Sequence, residues 1–362
     1  MGRRPVGRVP QLGPDPPARQ SVLPAMKAVT YAVLLLAMVG FAFGVYRIAG
    51  MLKSDGSHVQ KPTSTYAQAL PGKMFVAQGG AIYRFQNGTF TQLTEDAGWT
   101  QPSSSPDGTQ LVAVQRHLNY SDVYLLTASG RVVQQLTHLQ SSSVEGNHWA
   151  FLPRFSADGT RIFFAYDDKA PGTYEVDLTI LSVPAGGSGR DLVWTVPNQY
   201  TGGDTDPVPL RDGGLVYTKY SIDDQSAVHS QVWLTTRPGA PGTPLTKPEE
   251  DCAQPALSPD GTSIAMVCRH GQLQSTELVL ATFDAVNGTI GPEAVLIQGQ
   301  LSASPTFSPD GQTIAFLAPV QQGGTFQLWT VPADTSPSPS AARPITQNVG
   351  LDATAAPVWD KR

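Results

Sequence analysis

The sequence is poor in cysteine, in charge and in helical signals, and each shortage excludes something. Only two cysteines occur in 362 residues, so a disulfide-rich scaffold is excluded. Charged residues make up 15% of the chain and the formal net charge is −5. No basic excess of the kind that binds nucleic acid is present. Neither G-x-S-x-G nor H-E-x-x-H occurs, which removes the nucleophile elbow and the zincin helix. Gly186-Gly187-Ser188-Gly189 lacks the strand–helix context of a phosphate loop and reads as a flexible connection. Turn chemistry, by contrast, is abundant. The 35 glycines and 31 prolines are spread along the chain, which predicts many short strands joined by tight turns. The 40% of hydrophobic residues can fill a core.

One long uncharged apolar run stands apart, from Ala28 to Tyr46. As a helix it spans roughly 28 Å, about the hydrocarbon thickness of a bilayer. Arg3, Arg4, Arg8, Arg19 and Lys27 precede it against one acid, Asp15, while only Arg47 and Lys53 follow closely. The positive-inside rule keeps such an N-terminus cytoplasmic and sends the rest across. The competing reading is a cleaved signal peptide, with Ala42 and Gly44 as a small-x-small site. The expected organisation is a basic, Pro-rich cytoplasmic tail (1–27), a transmembrane anchor (28–46), a polar linker (47–70) and an extracytoplasmic domain (71–362), either periplasmic or at the cell surface.

That domain carries a repeat. Pro-x-aromatic-Ser-Pro-Asp-Gly followed by an apolar strand recurs, with variations, from Pro102, Pro153, Pro207, Pro255 and Pro305, and a stub starts at Pro357. The prolines are 51, 54, 48, 50 and 52 residues apart. A period near 50 holding several short strands is a propeller signature. Each unit reads as four strands: A (Pro-x-Phe), B (the apolar run), C (alternating, often with Trp or Tyr) and D (ending Leu-Thr or Ile-Thr, as at Leu136-Thr137, Leu245-Thr246 and Ile345-Thr346). Ser-Pro-Asp-Gly makes the A–B turn, so its aspartates are structural. Met74-Phe75-Val76, Ala81–85 and Thr91-Gln92-Leu93 supply B, C and D without an A; Pro357-Val358-Trp359 is an A without the rest. Joined, they make a sixth blade. The expected fold is all-β: a six-bladed β-propeller of four-stranded antiparallel blades, closed by pairing of the two chain ends, after one transmembrane helix.

The repeat resembles the TolB-type, WD-repeat-like propeller modules of secreted proteins over residues 71–362. The resemblance implies the fold. It leaves function open, because such modules occur in Tol-system periplasmic proteins and as gating domains of prolyl-oligopeptidase-like enzymes. Two departures stand out. No separate α/β domain precedes the repeat, and unit three has Pro209 for the aromatic and Arg211 for the turn proline.

In a propeller the A–B and C–D loops share one side, and the B–C and D–A loops share the other. The repetitive A–B turns read as scaffold. The longer, variable B–C and D–A loops are where specificity usually sits. They hold His117, Tyr120, His148, Trp149, Tyr166, Tyr220, Arg269 and His270 as candidate recognition residues. Asp167, Asp168, Asp204 and Asp206 offer the hard oxygen donors that Ca²⁺ takes. No other cofactor is expected. Cys252 and Cys268 lie about equidistant from the turn near Asp260, which places them opposite each other across an antiparallel pair and within disulfide reach. The preferred function is a non-catalytic, membrane-anchored module that binds a protein, peptide or glycan on its variable-loop face. The alternative is an enzyme working in the central funnel on a carbohydrate or peptide.

Overall fold

The computed structural model describes residues 70–170, 173, 176–269, 275–335 and 342–361. The expected tail and anchor, all of the linker before Leu70, and His270 lie outside these residues.

The sequence order of the strands gives the architecture. β1 (Lys73–Gln78), β2 (Ala81–Gln86) and β3 (Thr89–Gln92) come first. Blade one follows as β4 (Trp99–Ser104), β5 (Gln110–Arg116), β6 (Ser121–Thr127) and β7 (Val132–Gln135). Blade two is β8 (Ala150–Phe155), β9 (Arg161–Asp167), β10 (Leu178–Pro184) and β11 (Leu192–Val193). Blade three is β12 (Asp204–Pro209), β13 (Leu215–Ile222), β14 (Val228–Thr235) and β15 (Thr243–Pro244). Blade four is β16 (Cys252–Leu257), β17 (Ser263–Cys268), β18 (Thr276–Asp284) and β19 (Thr289–Ile290). β20 (Ala294–Gln300) also pairs with β18, which makes this blade five-stranded where four were expected. Blade five is β21 (Ala303–Phe307), β22 (Thr313–Pro319), β23 (Phe326–Pro332) and β24 (Arg343–Pro344). Finally β25 (Val358–Asp360) pairs with β1, and the sheet β25-β1-β2-β3 completes blade six from both ends of the chain.

Six apolar clusters make the core, one between each pair of neighbouring blades. Val112, Val123 and Leu125 pack on Phe155, Ile162 and Phe164 between blades one and two. Phe75 and Ile82 pack on Leu111, Ala113 and Leu126 between blades six and one. Met74, Tyr83 and Phe85 meet Ala315, Leu317 and Leu328 between blades five and six. The remaining three clusters fill the other interfaces. An open row of six sheets would have five interfaces, so six clusters mean a closed ring. Closure also explains why the B strands are apolar without alternation: Leu111, Val112, Ala113 and Val114 are all fully buried, because each inner strand is covered on both faces.

Two recurring sequence features find their reasons. The threonine after strand D ties D to C: its hydroxyl accepts the N–H of a strand-C residue, as Thr137 does from Val123 (2.9 Å), Thr246 from Val232 (3.0 Å) and Thr346 from Leu328 (2.9 Å). Thr94 and Thr195 do the same for Ile82 and Ile180. In the A–B turns the serine hydroxyl donates to the aspartate at 2.6 Å (Ser105–Asp107, Ser156–Asp158) and 2.5 Å (Ser258–Asp260, Ser308–Asp310). A backbone N–H two residues on from the aspartate donates to the same oxygen.

These bonds favour the charged carboxylate. The serine hydroxyl first, and then the backbone N–H, hold Asp107 down at about 2 and keep Asp158, Asp260 and Asp310 below the usual range. A depressed folded-state pKa stabilises the fold above the ordinary carboxylate value near ~3.9, and that contribution is lost as pH falls toward the folded-state value. The melting temperature should therefore drop between about pH 4 and pH 2. Asp→Asn changes at all four positions should flatten that drop. An unchanged slope in the quadruple variant would contradict the assignment.

Strand A carries a bulge in blades one to five, seen as a register shift against strand B. The bulged residue has positive φ each time: Gln101 (51°), Leu152 (56°), Asp206 (52°), Gln254 (55°) and Ser304 (53°). Each stands directly before the repeat proline. Proline has no N–H to give the ladder, so the irregularity falls where pairing is already interrupted. The bulge re-aims the residues that follow it.

Candidate functional site

The ring offers two faces and a channel. On the loop side, at the junction of blades one and two, the chain gathers several of the residues expected there. Arg116 ends β5 and lies over the Trp149 ring, 5.7 Å from its centroid. Trp149 stacks on Phe151 (5.8 Å). In the β5–β6 turn the His117 ring stacks on Tyr120 at 4.3 Å, and the His117 backbone N–H donates to the Tyr120 carbonyl. His148 stacks on Tyr166 (5.6 Å), and its Nδ1 is 2.7 Å from the Asp167 carbonyl oxygen. Between His117 and Tyr120, Leu118 is 98% exposed at the hairpin tip. The result is a set of half-buried aromatic and basic groups stacked in pairs on neighbouring loops, with an exposed apolar residue at one hairpin tip.

Two other candidates do not join this patch. Arg269 is tied to Asp251 by Nε (2.9 Å) and Nη2 (2.5 Å). Asp251 also accepts the Ser230 N–H and hydroxyl. Burial raises the Asp251 pKa, but these bonds outweigh it and hold the carboxyl low. Tyr220 is packed in the wall of blade three. Burial first, then the Asp206 charge, push its phenol up to about 12.

The four acids read as calcium ligands do not converge. Asp167 is fully buried and paired with Lys169 at 2.7 Å. Asp204 is fully buried and paired with Lys219 at 3.2 Å. Asp168 is exposed. Asp206 lines the channel, where burial raises its pKa against hydrogen bonds from the Thr205 and Thr218 hydroxyls and the Gln254 N–H. Among the described residues, the only three potential metal ligands that come together are Cys252, Cys268 and Glu293. Both of those sulfurs are committed, because Cys252 and Cys268 form a disulfide across the β16–β17 pair.

The A–B side, expected to be plain scaffold, requires a correction. A cavity of about 630 Å³ opens there among the turns and strand-A ends of the ring, bounded by Ser105, Pro106, Pro259, Pro309 and Trp359. Each turn is tight, but the six strand ends stand apart around the axis and leave a funnel between them. At its narrow end the channel is lined by Leu152, Arg154, Asp206, Gln254 and Ser304. Bulged residues tie blade to blade here. Gln101 Oε1 accepts the Leu152 N–H (2.8 Å) and Gln254 Oε1 accepts the Ser304 N–H (2.8 Å). Arg154 was not among the residues picked out from the sequence. The available signal was the repeat itself: the residue after the repeat proline is Ser103, Arg154, Val208, Ala256, Thr306 and Val358, and only blade two puts a charge there.

No protein-family model matches the chain, and no curated protein matches its sequence. Solved structures do resemble it. TolB from Acinetobacter baumannii overlays with a TM-score of 0.58 at 17% identity, covering 80% of this chain and 66% of that one. A TolB-like protein from Agrobacterium tumefaciens gives 0.55 at 14% identity, covering 80% and 93%. An oligogalacturonate lyase from Vibrio parahaemolyticus gives 0.51 at 14% identity, covering 79% and 78%. At these identities the likeness concerns the fold, which scaffolds and enzymes share. With its ring of six blades and its chain ends paired in one sheet, the described part of this chain is a six-bladed β-propeller, a fold that it shares with the TolB structures.

Proposed function

We propose that this chain is a membrane-anchored, extracytoplasmic binding module that holds a partner polypeptide against the loop face of blades one and two. The observation that supports this reading is the patch built by Arg116, His117, Tyr120, His148, Trp149 and Tyr166, with Leu118 exposed at its tip. Tryptophan, tyrosine and arginine are the side chains that dominate binding energy at protein interfaces. They cluster here on a rigid ring, so little order need be imposed on binding. The anchor and its orientation rest on the apolar run 28–46 and its flanking charges.

The test is cross-linking of the tagged full-length protein in intact cells, followed by affinity capture. It is run beside a variant carrying Trp149→Ala and Tyr120→Ala. A hot-spot residue contributes about 2 kcal/mol or more, so recovery of a specific partner should fall by roughly thirtyfold or more. Equal recovery by both proteins would place the partner elsewhere on the ring. Capture of no partner by either would reject a polypeptide ligand.

A further inference from the structure

Arg154 is a cation with no directly bonded partner among the described residues. Its guanidinium carries up to five N–H donors, yet among the described residues it makes no hydrogen bond and no ion pair. Its nearest opposite charge, Asp206, acts on it only through space. Asp206 is already engaged by Thr205, Thr218 and the Gln254 N–H. Arg154 is half-buried, so the donors that no protein group accepts are left to whatever fills the cavity that it lines. The five other blades show that the site does not demand an arginine, since serine, valine, alanine, threonine and valine occupy the same position. The bulge at Leu152 sets the turn of the strand just ahead of Arg154, and Arg154 lines both the wide cavity and the narrow channel beneath it.

Two more groups share this situation. The hydroxyls of Ser103 and Thr306, at the corresponding place in blades one and five, line the same cavity and bond to no protein group among the described residues. The cavity wall thus carries a planar fork of donors and, on two other blades, two hydroxyls. Its volume of about 630 Å³ lies in the range of small-ligand sites. The mouth is different in character. The Asp107 and Asp360 carboxyl groups stand there, Asp107 bonded to Ser105 and Asp360 to Ser104 and Lys73. Lys361 is the cation of that rim. A guanidinium fork matches two oxygens in one plane, as a carboxylate presents them.

We propose that the central cavity binds a monocarboxylate, held by the Arg154 guanidinium, with the Ser103 hydroxyl of the neighbouring blade and the Thr306 hydroxyl of the facing blade lining the same cavity. The carboxylate belongs either to a small organic acid or to the C-terminus of a peptide. This site opens on the side opposite the aromatic patch and does not depend on it.

The experiment is calorimetric titration and thermal shift on the purified full-length chain, with four probes: benzoate, N-acetyl-trialanine as the free acid, the same peptide as its C-terminal amide, and inorganic phosphate. At least one free acid should bind and raise the melting temperature, and the amide should not. Binding by benzoate alone identifies a small acid, whereas binding that requires the peptide acid identifies a chain terminus. Arg154→Gln should weaken the bound acid by about tenfold or more, as expected for losing a charged hydrogen-bond partner. Arg154→Lys, which keeps the charge and loses the fork, should fall in between. Without ligand, Arg154→Gln should melt close to the wild type, because no hydrogen bond or ion pair is lost and only the through-space attraction to Asp206 goes. Failure of both acids to bind the wild type would overturn the proposal. So would equal binding by Arg154→Gln, tighter Arg154-dependent binding of phosphate, or a ligand-free Arg154→Gln protein that melts well below wild type.

Discussion

Removal of residues 357–362 is expected to open the ring and destabilise all six blades together. The deleted strand is short, but it closes two interfaces. Trp359 belongs to the cluster between blades five and six, and Val358 to the cluster between blades six and one. Both are at least nine-tenths buried. β25 pairs with β1 over Lys73↔Asp360, Met74↔Trp359 and Phe75↔Val358. Trp359 Nε1 donates to the Pro71 carbonyl at 2.7 Å, and the Ser104 hydroxyl donates to Asp360 at 3.0 Å. The fit at the seam is close: a Cβ on Gly72, whose φ is 79°, would lie 2.1 Å from the Asp360 carbonyl oxygen. Truncating a buried tryptophan to alanine alone costs about 3–5 kcal/mol. Losing the whole strand also leaves an unpaired edge on β1, so the deletion should remove much of a total stability that is typically only ~5–15 kcal/mol. Urea melts and limited proteolysis of the full-length and shortened chains measure this. A lower midpoint with cleavage in several blades is the expected result, and unchanged curves would contradict closure by the chain ends.

The second large effect is expected from the disulfide. Cys252 and Cys268 are fully buried and directly opposed in the β16–β17 register. Their bond closes a loop with a sequence separation of 16. Constraining a loop of that size in the unfolded chain stabilises the fold by about 3 kcal/mol. The paired double variant Cys252→Ala/Cys268→Ala should therefore melt at a clearly lower urea concentration. Reductant should lower the midpoint of the wild type and leave that of the variant unchanged. Identical midpoints for the oxidised wild type and the double variant would show that the strand pair needs no covalent tie.

How much of this was legible from residues alone follows from the kind of signal each feature leaves. The blades and their closure leave a local and repeated one: a proline, a turn and an apolar strand every fifty residues or so, with the missing quarter of one unit found at the far end of the chain. β20 left none, because the unit that holds it, from Pro255 to Pro305, keeps the 50-residue period and carries no added motif. The loop patch was partly legible, since unusual aromatic and basic residues sit in loops whose side of the ring is fixed by strand order. The acid set was misread because pairing depends on register. Asp204 faces Lys219 across β12 and β13, and Asp167 meets a lysine two residues along. Neither partner follows from composition. Tight turns likewise look like scaffold one at a time. Only their arrangement around an axis makes them the wall of a cavity, and only alignment of all six copies shows Arg154 as the odd charge.

The central functional claim is that the loop face of blades one and two meets a polypeptide. The most direct test places a photo-crosslinking amino acid at Leu118 of the full-length protein in intact cells. A control places it at Val286, which is 93% exposed in the β18–β19 turn on the opposite side of the ring. The account predicts a discrete, saturable protein adduct at position 118 and none of that mass at 286. The same adduct from both positions, or from 286 alone, would contradict it.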